Sequence, residues 1–154
     1  GYRLKEKLPP NLLEYSVSLG VPEVIKEGTD ITIVTYGSTL RIVQEAAQQL
    51  EAQNISCEIL DVQTLLPFDI LHRILDSLKK TNRIVFVDED VPGGATGFMF
   101  NQVMEEQGDY RWLDVVPRTI PPKPHRTPYG SDGDYFSKPN AEEIGAVIKM
   151  MMRE

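Results

Sequence analysis

Three stretches of this chain hold residue types whose spacing suits chemistry. Asp88-Glu89-Asp90 runs directly into Val91-Pro92-Gly93-Gly94-Ala95-Thr96-Gly97. Carboxylates at a strand end suit Mg²⁺, which binds through oxygen ligands, and the glycines let a phosphate approach the backbone. Three adjacent side chains point in different directions, however, and no distant acid completes a shell, so a solvated acidic turn or an inter-domain contact competes. The second stretch, Tyr36-Gly37-Ser38-Thr39, turns a strand into a helix, where free N–H groups bind phosphate or carboxylate. Asp61 ends the next strand, where a dinucleotide fold places its ribose-binding acid. The G-x-G-x-x-G spacing is missing, and a Ser or Thr cap on a tight turn is the competing reading. Gly37, Ser38, Thr39, Gly93 and Gly94 together form the candidate anion site.

The third stretch is Lys123-Pro124-His125-Arg126-Thr127-Pro128-Tyr129, a loop with cations held between rigid prolines. A catalytic His125 needs an orienting carboxylate and a pocket. A domain or subunit contact is the stronger expectation for His125 and Arg126, because long loops often carry contacts. His72 falls beside Arg73 in an expected helix over residues 69–80, off its apolar stripe, and reads as an exposed helix residue. No nucleophile elbow, Walker loop, zinc spacing or paired-acid signature is found, which assigns the chemistry to another domain or chain.

The elements that would position these groups follow from hydrophobic periodicity. Ile31-Thr32-Ile33-Val34-Thr35-Tyr36 is a β-branched run, after which Val43, Ala46, Ala47 and Leu50 recur at helical spacing. Residues 56–62 repeat the strand, and Ile70, Leu71, Ile74, Leu75 and Leu78 repeat the helix. Ile84-Val85-Phe86-Val87 is apolar without alternation, as in a parallel strand covered on both faces. A helix is expected over residues 95–107 and a fourth strand over residues 112–116. Residues 117–139 hold six prolines and read as a long surface loop of functional or interfacial kind. Asn140 and Glu143 form a capping box for a last helix with Ile144, Val147, Ile148 and Met151 on one face. Residues 19–25, broken by Gly20 and Pro22, suit an edge strand.

Composition limits the function classes. In 154 residues, 41% are hydrophobic and 25% charged, the balance of one folded domain. The net charge of −7 repels phosphate backbones and anionic membranes, so nucleic acid is not an expected partner. No apolar stretch approaches a membrane span. Cys57, the single cysteine, lies in an apolar run and reads as a buried small hydrophobe, which suits a reducing cytoplasm. The start at Gly1 rather than Met suggests a piece of a longer polypeptide, with residues 1–19 a lead from an upstream domain and residues 20–154 the domain proper.

Three ordered motifs carry a family resemblance: Gly28-Thr29-Asp30-Ile31-Thr32-Ile33-Val34-Thr35-Tyr36-Gly37, Asp61-Val62-Gln63-Thr64-Leu65-Leu66-Pro67-Phe68-Asp69, and Lys80-Thr81-Asn82-Arg83-Ile84-Val85-Phe86-Val87-Asp88-Glu89 with Gly93-Gly94. They resemble the C-terminal domain of the transketolase family, and most of all that of the β subunit of thiamine-diphosphate-dependent 2-oxo acid dehydrogenases of pyruvate or branched-chain type. The resemblance implies a three-layer α/β/α domain whose mostly parallel five-stranded sheet has one antiparallel edge strand. It places thiamine diphosphate and Mg²⁺ between two other domains, one of which carries the activating glutamate, so neither a cofactor nor a catalytic residue is expected on this segment. It also implies an oxidoreductase inactive as this fragment alone, a homo-oligomer that packs on other dehydrogenase subunits, and docking of the dihydrolipoyl acyltransferase's subunit-binding domain. Asp114 in Trp112-Leu113-Asp114 matches the family's docking element. A nucleotide- or anion-sensing module and the C-terminal domain of another transketolase-type enzyme are the alternatives.

Overall fold

The computed structural model describes residues 5, 7, 8, 10–126, 128–130 and 132–154. Those residues build one five-stranded sheet from β1 (Glu23–Lys26), β2 (Ile31–Thr35), β3 (Cys57–Asp61), β4 (Ile84–Val87) and β5 (Arg118–Ile120), in spatial order β1-β3-β2-β4-β5. Four strands run parallel and β1 pairs antiparallel with β3, matching Glu23 to Asp61. The expected edge strand is therefore real, and a register shift between Val24 and Lys26 breaks its regularity. An irregular edge of this kind resists pairing with another chain.

Strand alternation sorts the apolar residues onto two faces. Ile31, Ile33, Cys57, Ile59, Val85 and Val87 pack against α1 (Thr39–Glu51) and α5 (Ala141–Met151). Val34, Leu60, Ile84 and Phe86 pack against α2 (Arg73–Thr81) and α3 (Ala95–Asn101) on the opposite face. This is the expected three-layer arrangement. Central β2 and β4 are buried at every position, which explains why β4 is apolar throughout and β2 is interrupted only by the β-branched Thr32 and Thr35. One polar seam crosses the second face: Thr32 Oγ1 lies 2.6 Å from Ser77 Oγ and 2.7 Å from Thr81 Oγ1, so each buried hydroxyl has a partner.

Several elements differ from expectation. Residues 112–116 form no strand. A 3₁₀ turn spans Asp109–Trp112, and the fourth parallel strand lies later, at Arg118–Ile120 between Pro117 and Pro121. Prolines are tolerated there because β5 is an edge strand. The supposed loop at 117–139 therefore contains β5 and a short helix, α4 (Gly133–Ser137). Helix α2 begins at Arg73 rather than at residue 69, because His72 is left-handed at φ 53° and interrupts the spiral; Ile70 and Leu71 stay exposed. His72 is exposed, as expected, but precedes its helix. The helix expected over residues 95–107 is α3 continued by a π-helical turn at Gln102–Glu106.

Candidate functional site

The chain leaves central β2 toward β3 on one side, and β4 takes its place on the other. In open α/β sheets that switch point, at the carboxyl ends of the strands, is where ligands bind. The two turns singled out by sequence meet there. The turn after β2 supplies Tyr36, Gly37 and Ser38, and the turn after β4 supplies Asp88, Glu89 and Asp90, around a cleft of about 410 Å³ that Lys138 also lines. A larger space of about 580 Å³ opens beside it over α1, lined by Ser38, Glu45, Glu89, Asp134, Lys138 and Glu142 among others.

Each carboxylate in the cleft already has protein partners. Tyr36 donates its hydroxyl to buried Asp88 at 3.1 Å, and the Asp90 N–H donates to the same oxygen at 3.1 Å. Burial, followed by the charge of Asp88, pushes the Tyr36 phenol up to about 12, so it remains a donor. Asp90 accepts from the Val91 N–H at 2.8 Å and from the Ala95 N–H at 3.2 Å, which caps the start of α3. Gly94 leaves room for that carboxylate, because a Cβ there would collide with Asp90 Oδ2. Glu89 accepts from Ser38 Oγ at 2.8 Å and pairs with Lys138 Nζ at 2.9 Å; these bonds hold its carboxyl below the usual range.

Ser38 is therefore not the side-chain cap expected of it: its hydroxyl reaches across to Glu89 and leaves the α1 N-terminus uncapped. Of the candidate anion-site residues only Gly37 and Ser38 line the cleft, Thr39 being the buried first residue of α1, and the cleft holds three carboxylates against one lysine. Such a cleft repels a diphosphate. Among the described residues no group of three His, Cys, Asp or Glu side chains could hold a metal ion.

The residues expected to dock a partner fall at opposite ends of β5. Asp114 precedes the strand; it is exposed, and its N–H donates to Asn82 O at 2.9 Å. Tyr110, Trp112 and Val116 near it in sequence are also exposed, and Lys79 Nζ sits 5.6 Å from the Trp112 ring centre. His125 and Arg126 follow the strand, at the end where the sheet's carboxyl termini lie.

Sequence reasoning missed the burial of three carboxylates. Glu58 lies in the middle of β3, 2% exposed, and ion-pairs with Lys80 while accepting from the Gly28 N–H at 3.1 Å. An acid inside an apolar strand was the available signal. Asp69 and Asp109 are both fully buried, and burial raises the pKa of each. Asp69 was visible as a motif member, whereas nothing in sequence brings Asp109 to it.

An α/β/α domain with a crevice at its switch point, its polar groups committed to holding turns together, defines a structural class rather than a reaction. Within that class the chain belongs to the transketolase C-terminal domain family, which residues 20–130 match. It is 33% identical over 141 residues to the pyruvate dehydrogenase E1 component subunit beta of Rhizobium meliloti (strain 1021), covering 91% of this chain and 30% of that protein. The same subunit of Acholeplasma laidlawii is 30% identical over 149 residues, 97% of this chain and 44% of the relative. The chloroplastic beta-2 subunit of Arabidopsis thaliana is 34% identical over 150 residues, 97% and 36%. This chain thus spans less than half the length of each of these relatives. Among solved structures, a split-gene transketolase described as an inactive β4 tetramer superposes with TM-score 0.77 at 23% identity, over 97% of this chain and 47% of that one. A 2-oxoglutarate:ferredoxin oxidoreductase from Magnetococcus marinus superposes with TM-score 0.58 at 19% identity, over 92% and 21%.

Proposed function

We propose that this chain is the C-terminal assembly and docking domain of the β part of a thiamine-diphosphate-dependent 2-oxo acid dehydrogenase, an oxidoreductase whose cofactor and Mg²⁺ are held by other domains. The observation that carries the reading is the match to pyruvate dehydrogenase E1 beta subunits over nearly the whole chain. The committed hydrogen bonds of the cleft support it, since they leave its carboxylates occupied in structure. Asp114 is the proposed contact for the subunit-binding domain of the dihydrolipoyl acyltransferase. An exposed carboxylate with exposed aromatic neighbours offers a charge to orient a partner and apolar area to hold it. The reading places residues 20–154 as the domain proper, packed on other dehydrogenase subunits and on copies of itself, in a cytoplasm where the buried Cys57 thiol stays reduced.

The isolated chain is expected to give no thiamine diphosphate heat in calorimetry and no 2-oxo acid decarboxylation, while an immobilised subunit-binding domain captures it. Asp114→Lys should weaken that capture by about tenfold, the size of one charge-assisted contact. Turnover by the chain alone, or capture indifferent to Asp114→Lys, overturns the proposal.

A further inference from the structure

A third cavity shares Glu89 and Lys138 with the two already described. It encloses about 460 Å³ between the turn after β4, the segment following β5 and the end of α4. That volume is in the range of small-molecule pockets. Lys123, His125, Arg126 and Lys138 line it, with Glu89 the single carboxylate. In a protein of net charge −7 this reverses the local sign, and it does so next to the acidic cleft.

The charges are not all cancelled. Lys138 is neutralised by Glu89 and Lys123 pairs with Glu143, each at 2.9 Å. Arg126 has no carboxylate partner among the described residues. Its guanidinium instead lies 4.6 Å from the Tyr129 ring centre, a contact that orients the group without removing its charge. At the cavity wall, Ser137 is 3% exposed and its Oγ has no hydrogen-bond partner among the described residues. Buried hydroxyls are normally paired; this Oγ is closed to solvent as it stands, and a rotation of the short side chain toward the cavity would bring it to an acceptor from outside the chain.

The scaffold is set in advance. The Lys123 N–H donates to Ser137 O at 2.9 Å, which ties the loop to α4. The His125 N–H donates to Lys123 O at 2.8 Å, and His125 Nδ1 lies 2.9 Å from Arg126 O. Pro122 and Pro124 fix the backbone between these bonds and, with Val91 and Pro92, give the cavity an apolar wall. Little ordering remains for a ligand to impose.

We infer that this cavity binds a phosphate monoester with a small apolar body. Arg126 would take the phosphate in its planar fork, Lys123 would turn from Glu143 to add a point charge, and Ser137 would rotate its unpaired hydroxyl toward it. The site does not depend on Asp114 and stands whether or not Asp114 contacts an acyltransferase.

The test is calorimetry on the 154-residue chain with phenyl phosphate, inorganic phosphate and succinate. One saturable site is expected, tighter for phenyl phosphate than for inorganic phosphate and weakest for succinate. Arg126→Gln, at an exposed position, should weaken phenyl phosphate by about tenfold. Ser137→Ala should weaken it by a few fold with Tm unchanged, and Arg111→Gln, before β5, should change nothing. Absence of saturable binding by both phosphates overturns the inference, as does binding undiminished in the Lys123→Gln, Arg126→Gln double variant. Succinate binding tighter than either phosphate overturns the choice of ligand.

Discussion

Asp69 carries a conflict between hydrogen bonding and burial. Its carboxylate accepts from the Arg73 N–H at 2.7 Å and the Ile74 N–H at 3.1 Å, bonds that favour its charge. Burial opposes them and wins, pushing the carboxyl up to about 6; the Asp109 charge adds to the rise and His72 subtracts from it. An unfolded aspartate titrates near 3.9, so between about pH 4 and pH 6 the folded chain binds protons that the unfolded chain has released. Stability from this group is therefore highest at acid pH and is lost as pH rises through about 6. Asp109, also raised by burial, acts in the same direction. Urea denaturation should show a loss on the order of 2 kcal/mol from pH 4 to pH 6.5, and Asp69→Asn should flatten most of it. A profile that rises over that interval, or one that Asp69→Asn leaves unaltered, contradicts this account. Local sequence shows the acid and its motif, but not the burial, which is decided by residues forty positions away in Asp109.

Helix α5 shows what an element owes to its ends. The Asn140 side chain accepts from the Glu143 N–H at 2.8 Å, while the Glu143 carboxylate turns outward to Lys123 at 2.9 Å, so only half of the expected capping box is built. Asn140→Ala should cost about 1 kcal/mol and lower Tm by about 2–4 °C. A thermal melt unmoved by the substitution would show that packing of Ile144, Ile148 and Met151 holds the helix start without the cap. Elements with long apolar patterns, β2, β4, α1 and α5, were legible because burial on a sheet demands such patterns. The order of β5 was not: its three residues carry one buried side chain, Ile120, too short a signal to outweigh the prolines around it. The start of α2 was misread for a different reason. Ile70 and Leu71 satisfy the helical period, but left-handed His72 and the forward reach of the Asp69 carboxylate to the Arg73 and Ile74 N–H groups define the helix start. The candidate site was legible in parts. Both switch-point turns were visible as glycine punctuation, whereas the convergence of Lys123, Ser137 and Lys138 on one cavity depends on α4 folding back over the loop.

At the scale of the whole molecule, the parallel sheet separates two surfaces. Asp114 lies where the chain enters β5, and the basic cavity lies where it leaves, with a strand and its packed layers between them. Sites that far apart in one rigid sheet, sharing no partner, combine additively to within about 0.5 kcal/mol, or about twofold in affinity. Asp114→Lys should then weaken acyltransferase capture by about tenfold without moving phenyl phosphate affinity beyond about twofold, and Arg126→Gln should do the reverse. Salt separates them further. Capture through exposed Asp114 should slow in its association rate as ionic strength rises past about 0.15 M, where the Debye length is about 8 Å. Phosphate held in the cavity beside a buried Ser137 should lose less affinity over the same range. If each substitution instead weakens both ligands, the two ends are coupled through the sheet, and β5 with its flanking 3₁₀ turn is the element to test for two arrangements.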